Sequence, residues 1–264
     1  MLTKLRDHRS TTIAEILFRQ AYAYPGRFTA NLVGAAFPLI MMIVWSTLPP
    51  ADGDATLQRS QIIAYFGAAA LCSAATSSRA TWKWDRTIRG GTLEDYLLVP
   101  LGPFSRIMVS DLCERVIAVL TLLPVFLALR FQGGSSWNTT QFLAGLLLLP
   151  VAYVVSCQMN SIIGMLAAYV HRVRRIHEVF WGAGGLLSGL AAPPQFFPDW
   201  LQHVAQLSPY PILVGIPASL LSGTGGHLAV APVVASVTVW TVLVTTVQVL
   251  LWRRLRQTPG GVVH

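Results

Sequence analysis

Six apolar stretches, each long enough to cross a lipid bilayer as a helix, are separated by connections that carry most of the charge. A hydrocarbon core of about 30 Å needs roughly 17–25 helical residues. The stretches run Thr29–Leu48, Gln61–Ser78, Arg106–Phe131, Gln141–Val170, Ile176–Ala192 and Leu228–Trp252. Backbone groups in lipid must satisfy one another, which a helix does within a single segment. The chain therefore reads as an all-α integral membrane protein with one domain over residues 1–264. Residues 1–28 form a cytoplasmic and interfacial segment, 29–252 a six-helix bundle and 253–264 a cytoplasmic tail. A composition of 53% hydrophobic and 11% charged residues is outside the soluble range and agrees with this reading. The first 28 residues lack the short apolar core and cleavage site of a signal peptide, so the first span is expected to be retained.

Orientation follows from the basic residues, because cytoplasmic flanks keep Lys and Arg. Lys4, Arg6, Arg9, Arg19 and Arg27 precede the first span. Arg79, Lys83, Arg86, Arg89, Arg106 and Arg115 belong to the second connection and its flank. Arg172, Arg174 and Arg175 fill the fourth connection, and Arg253, Arg254 and Arg256 follow the last span. Seventeen of the 19 basic residues thus share one side, leaving Arg59 and Arg130 for the other. Both termini are placed in the cytoplasm. Trp45, Trp137 and Trp200 near the outer boundary, with Trp82, Trp84 and Trp252 near the inner one, suit an aromatic belt.

Three pieces outside the spans carry further information. Thr12 and Glu15 form a capping box, and Ile13, Ile16, Leu17, Ala21 and Tyr24 share one helical face. This amphipathic segment is expected along the inner membrane surface, with a solvated N-terminal helix as the alternative. In the second connection, Gly90 and Gly91 break the chain, Thr92 is a candidate N-cap and Glu94 and Asp95 follow in the first turn. Pro100 ends this short helix, whose face of Leu93, Tyr96 and Leu97 has to dock on the protein's own helix ends or on a separate subunit. Between the fifth and sixth spans, Asp199–Leu207 has a helical pattern and Tyr210–Leu221 is apolar but too short to cross. A re-entrant helical hairpin in the outer leaflet is expected there, with packed external helices as the alternative.

Reactive constellations are missing. His177-Glu178 begins like a zinc-protease helix, but Trp181 stands where the second histidine belongs. No nucleophile elbow is present, and neither lysine, Lys4 or Lys83, follows a glycine-rich loop, so the chain has no Walker A site. The cysteines, Cys72, Cys113 and Cys157, lack disulfide or metal spacing. No catalytic residue, metal site or cofactor is expected in this chain, and ATP would have to be hydrolysed elsewhere. The dispersed basic clusters do not form a nucleic-acid face. Glu178 lies about a turn into the fifth span, either facing a substrate path or pairing with Arg174 or Arg175 at the interface. Asp111 and Arg115, four apart, read as a structural pair. Gln158, Asn160 and Ser161 are placed to bond neighbouring helices, and Ser73, Thr76, Ser77 and Ser78 indicate close packing of the second helix.

The stretch Ile88-Arg89-Gly90-Gly91-Thr92-Leu93-Glu94-Asp95-Tyr96-Leu97-Leu98-Val99-Pro100-Leu101 resembles one found after the second span in ABC-2 type membrane permeases of ATP-binding-cassette exporters. Phe197-Pro198-Asp199-Trp200-Leu201, followed by Leu207-Ser208-Pro209, is similar to a pattern between the last two spans of that group. Tyr96 stands where the pattern more often has an aliphatic residue. The resemblance implies a division of labour: ATP and Mg²⁺ would be handled by a separate ABC ATP-binding subunit that presses on two permease subunits, identical or related. It makes Asp85 to Leu98 the coupling helix region, with Asp85, Arg86, Arg89, Thr92, Glu94 and Asp95 as polar contacts and Leu93, Tyr96 and Leu97 as an apolar anchor. A path lined mainly by the first, second and fifth helices would put Thr76, Ser77 and Glu178 among its candidates, with the outer hairpin as a gate. The implied location is the cytoplasmic membrane, in contact with lipid. A channel or ion-coupled secondary transporter is the competing reading, weakened by the scarcity of intramembrane charges and the lack of an internal repeat.

Overall fold

The computed structural model describes residues 25–47, 58–93, 102–132 and 138–257, and every regular element among them is helical. The N-terminal amphipathic segment Thr12–Tyr24 and the residues Glu94, Asp95, Tyr96 and Leu97 lie outside the described residues. The helices are α1 (Pro25–Thr47), α2 (Arg59–Thr76), α3 (Ala80–Arg89), α4 (Pro103–Gln132) and α5 (Thr139–Met165), which a 3-10 turn extends over Leu166–Ala168. They continue with α6 (Val173–Leu187), α7 (Asp199–Gln206), α8 (Tyr210–Leu213), α9 (Gly215–Ser222) and α10 (Val230–Gln257). Three stretches, Pro103–Phe131, Thr139–Ala168 and Val230–Gln257, are long and apolar enough to cross a membrane. Their outward faces agree: Val230, Val239 and Val242 on α10 are each exposed by 60% or more of their surface. So apolar a face is suited to lipid or another protein rather than to water.

α2 is the central post. Ala64, Tyr65, Phe66, Ala68, Ala69 and Cys72 are all fully buried, and the helix packs against α1, α4 and α9. Its alanines and Gly67 let neighbouring backbones approach, the packing mode that serves where the surrounding solvent is itself apolar. The small polar residues at its end join this packing, as Ser156 of α5 donates its hydroxyl to the carbonyl of Thr76. A second apolar core holds α3, α5 and α10 together through Trp84, Ile88, Tyr153, Ile163, Met165 and Leu255.

α6 ends earlier than the sequence suggested, at Leu187 rather than Ala192. The reason is a contact with a distant part of the chain. Gly189 takes a left-handed φ of 86°, and a Cβ there would lie 2.6 Å from the hydroxyl of Tyr65. Tyr65 in turn donates to the Gly189 carbonyl at 2.8 Å, so the break in α6 is pinned to the central helix. After the break, Trp45 stacks on Phe196 at 5.1 Å and donates its indole N–H to Ala191 at 3.0 Å.

The apolar segment Tyr210–Leu221 is divided into α8 and α9 at Val214, whose φ of −133° and ψ of −55° interrupt the helix. α9 packs on both α2 and α5. Gly145 of α5 makes room for it, since a Cβ there would come within 2.9 Å of Leu221. One aromatic residue departs from the belt expectation: Trp84 is 1% exposed, because it lies on the buried face of α3 and meets Trp252 at 5.7 Å.

Candidate functional site

α3 was not read from the sequence as a helix in its own right, although its pattern is clear in retrospect. Ala80, Thr81, Trp84, Thr87 and Ile88 are buried, at the i, i+1, i+4, i+7, i+8 positions of one helical face. That face packs on α5. The crossing is tight: a Cβ at Gly164 would lie 2.6 Å from the Cβ of Trp84 and 2.9 Å from the Thr81 carbonyl oxygen. Thr81 donates to the carbonyl of Asn160 at 2.9 Å. The opposite face carries Arg86 and Arg89, exposed, and Asp85, partly exposed.

The two ends of α3 are fixed by different devices. At its start, buried Asp111 of α4 accepts the Arg79 backbone N–H at 3.0 Å, placing a carboxylate at the positive end of the helix dipole. Lys83 lies 3.6 Å from Asp111 and 3.3 Å from Glu114, and Arg79 lies 3.8 Å from Glu114. At its end, Gly91 is left-handed with φ 65°, and the Thr92 N–H returns to the Thr87 carbonyl at 3.2 Å. This is the Schellman closure, which glycine permits without steric strain. The Thr92 hydroxyl also turns back to Thr87, at 3.4 Å. Leu93 packs against the core formed by Trp84 and Ile88.

Arg89 links α3 to a more distant part of the chain. Its Nε bonds Asp85 at 2.7 Å, while Nη2 donates to the carbonyls of Val170 at 3.1 Å and His171 at 2.8 Å. These carbonyls belong to the turn between α5 and α6, so one guanidinium ties the helix after α2 to the basic connection that carries Arg172, Arg174 and Arg175.

At the start of α3 lies a cavity of about 340 Å³, bounded by α1, α2, α3, α4, α5, α6 and α8. Thr76 and Ser77 line it, as does Asn160. Arg115 lines it too, although only 4% of its surface is exposed. Its Nη1 donates to Ser77 at 2.6 Å and Nη2 lies 3.8 Å from Glu114, but Nε and Nη2 make no hydrogen bond. Asp111 and Arg115 act on each other electrostatically, as their spacing suggested, but their hydrogen bonds go elsewhere. Asp111 serves α3 and Arg115 serves α2, because each side chain points to a different neighbouring element. Glu178 is outside the lining: its exposed carboxylate pairs with Arg174 at 2.9 Å. Gln158 bonds Thr245 of α10 at 2.9 Å, a bridge between helices. The cavity thus joins Thr76 and Ser77 with three residues that sequence reasoning did not single out as its lining, Arg79, Arg115 and His177. The available signal was an arginine within an apolar helix, a position where charge is rarely retained without use.

A family model described as ABC-2 family transporter protein matches residues 56–257, most of the chain. This chain belongs to the ABC-2 transporter family. The match spans α2 to α10, so it includes α3 and every cavity-lining residue except Gly34 of α1. No curated protein matches the sequence. The ABC-2 assignment makes the chain a membrane transport permease, a kind of subunit that is generally not itself catalytic. The resemblance read from Ile88–Leu101 and Phe197–Pro209 falls within the matched region and names the same family.

Proposed function

We propose that this ABC-2 permease is the transmembrane subunit of an ATP-driven exporter in the cytoplasmic membrane. It crosses six times with both termini in the cytoplasm, and two such subunits enclose the path. A separate ABC ATP-binding subunit hydrolyses ATP with Mg²⁺ and pushes on α3 and the segment that follows it, where Glu94, Asp95, Tyr96 and Leu97 complete the contact surface begun by Asp85, Arg86, Arg89, Thr92 and Leu93.

The observation that carries this reading is the mounting of α3. Its apolar face is clamped on α5, its first turn is held by the acids of α4, and Arg89 holds the α5–α6 turn. A force on the exposed polar face would reach several helices of the bundle together, including those around the cavity. Tight packing makes such a unit move as a body rather than deform. ATP binding would then favour one arrangement of the bundle, and net export follows where substrate affinity differs between arrangements.

The test is copurification with a candidate ABC ATP-binding subunit in lipid nanodiscs, combined with ATPase measurement. Wild type is expected to hold the partner, and Arg86→Glu and the double variant Glu94→Arg/Leu97→Asp to lose either the partner or the coupling of ATPase activity to transport substrate. A wild-type permease that retains no ATP-binding subunit, or variants that couple normally, would overturn the reading.

A further inference from the structure

We propose that the cavity beside α3 binds an anionic amphiphile, with the acidic headgroup at Arg115 and Arg79 and the apolar body against α6 and α8. This deepens the exporter reading by naming its substrate class, and it rests on that reading for the claim that the bound molecule is transported.

The first argument is charge. Among the described residues, Arg79, Lys83 and Arg115 share two carboxylates, those of Asp111 and Glu114. Asp111 is turned toward Lys83 and the start of α3, and the single carboxylate of Glu114 is shared among Lys83, Arg79 and Arg115. Arg115 keeps a short hydrogen bond to Ser77 and a longer one, at 3.5 Å, to the Ala74 carbonyl, and its Nη2 has only the ion contact with Glu114 at 3.8 Å, so that Nε and Nη2 carry no hydrogen bond. A buried guanidinium with unused donors is costly unless an anion compensates it, and arginine is suited to carboxylate or phosphate oxygens through paired N–H groups. His177, which also lines the cavity, has Nε2 without a hydrogen-bond partner as well.

The second argument is the order of the lining along α6. At its first turns His177 faces Trp82 at 5.1 Å, next to Arg79 and Ser77. Seven residues further, Gly184 touches the ring of Tyr210, and Leu213 and Val214 continue the wall. A helix rises about 1.5 Å per residue, so the polar end and the apolar end are separated by roughly 10 Å. Phe180 and Trp181 lie between them. A cationic group at one end and an aromatic and aliphatic wall at the other match a molecule with an acidic head and a hydrocarbon or aromatic body, and a small free anion would leave the wall unused.

The experiment uses the full chain in nanodiscs of zwitterionic lipid, without an ATP-binding subunit, and follows intrinsic tryptophan fluorescence, to which Trp82 and Trp181 contribute. Dodecyl phosphate is titrated against dodecyltrimethylammonium, dodecanol and inorganic phosphate. Saturable binding of dodecyl phosphate is expected, weakened about tenfold or more by Arg115→Gln, the loss of one charge-assisted hydrogen bond. Gly185→Phe provides a route that does not disturb the ion cluster: Gly185 lines the cavity with nothing within 4 Å of an added Cβ, and the ring is expected to block binding in a folded protein. Equal binding of the ammonium or alcohol probes, inorganic phosphate binding as tightly as its dodecyl ester, or wild-type affinity in Gly185→Phe would each overturn the proposal. Should Arg115→Gln not fold, Gly185→Phe and the probe comparison still decide. Because no ATP-binding subunit is present, failure of the exporter reading would leave this result intact, and failure here would leave that reading intact.

Discussion

Two glycine-to-alanine substitutions, five turns of helix apart in sequence, are expected to change stability in opposite directions. In an open helical position Gly→Ala removes a backbone-entropy penalty and stabilises by about 0.5–1 kcal/mol. Gly182 on α6 is such a position, with nothing within 4 Å of an added Cβ. Gly164 on α5 gains the same propensity term but meets α3. Its Cβ would lie 2.6 Å from Trp84 Cβ, 2.9 Å from Thr81 O and 3.0 Å from Thr81 Cα. These are backbone and first side-chain atoms, which cannot rotate away, so the two helices have to separate. Overpacking of this kind costs about 1–3 kcal/mol, and taking the upper end gives a net loss of about 2 kcal/mol after the propensity gain. Thermal unfolding of the two variants in one detergent should place Gly182→Ala at or above wild type and Gly164→Ala several degrees below it. Copurification of the ATP-binding subunit should fall only for Gly164→Ala, because α3 loses its seat. A Gly164→Ala protein as stable as Gly182→Ala would refute the close α3–α5 crossing and the transmission argument built on it.

Ser77→Ala removes the acceptor of the short bond from buried Arg115 and is expected to destabilise by about 1.5–3 kcal/mol, read as a lowered unfolding midpoint. Arg89→Ala acts differently, because its guanidinium is 39% exposed. Solvent screening should hold the stability loss to about 1 kcal/mol or less, while substrate-stimulated ATPase activity of the assembled transporter falls severalfold as the tie to Val170 and His171 is lost. Glu178→Gln removes only an exposed i,i+4 pair worth about 0.5 kcal/mol, so transport and stability should both stay near wild type; a large transport defect would return Glu178 to the path. The six-span topology is checked by single cysteines at Arg86 and Leu207, with impermeant maleimide expected to label Leu207→Cys in intact cells and Arg86→Cys only after lysis.

The apolar runs themselves gave the helical class and approximate helix positions, because period and length of hydrophobic pattern act locally along the chain, while the family resemblance came from the short motifs at Ile88–Leu101 and Phe197–Pro209. α2, α4, α5 and α10 each lie within a few residues of their expected bounds. The Gly90-Gly91 break was legible for the same reason: only a left-handed residue closes a helix as Gly91 does. Tertiary structure decided what depends on a distant partner. α6 stops at Leu187 because Gly189 has to pass Tyr65, and Tyr65 lies 124 residues earlier in the chain. Asp111 and Arg115 read as a pair from their spacing of four and do act on each other electrostatically, yet the acid's hydrogen bond goes to the start of α3 and the base's to the end of α2. The cavity was beyond the sequence altogether. Its lining comes from seven helices, and its charge imbalance exists only once Arg79, Lys83, Asp111, Glu114 and Arg115 are brought together by packing, since electrostatic interaction depends on distance in space rather than on position in sequence.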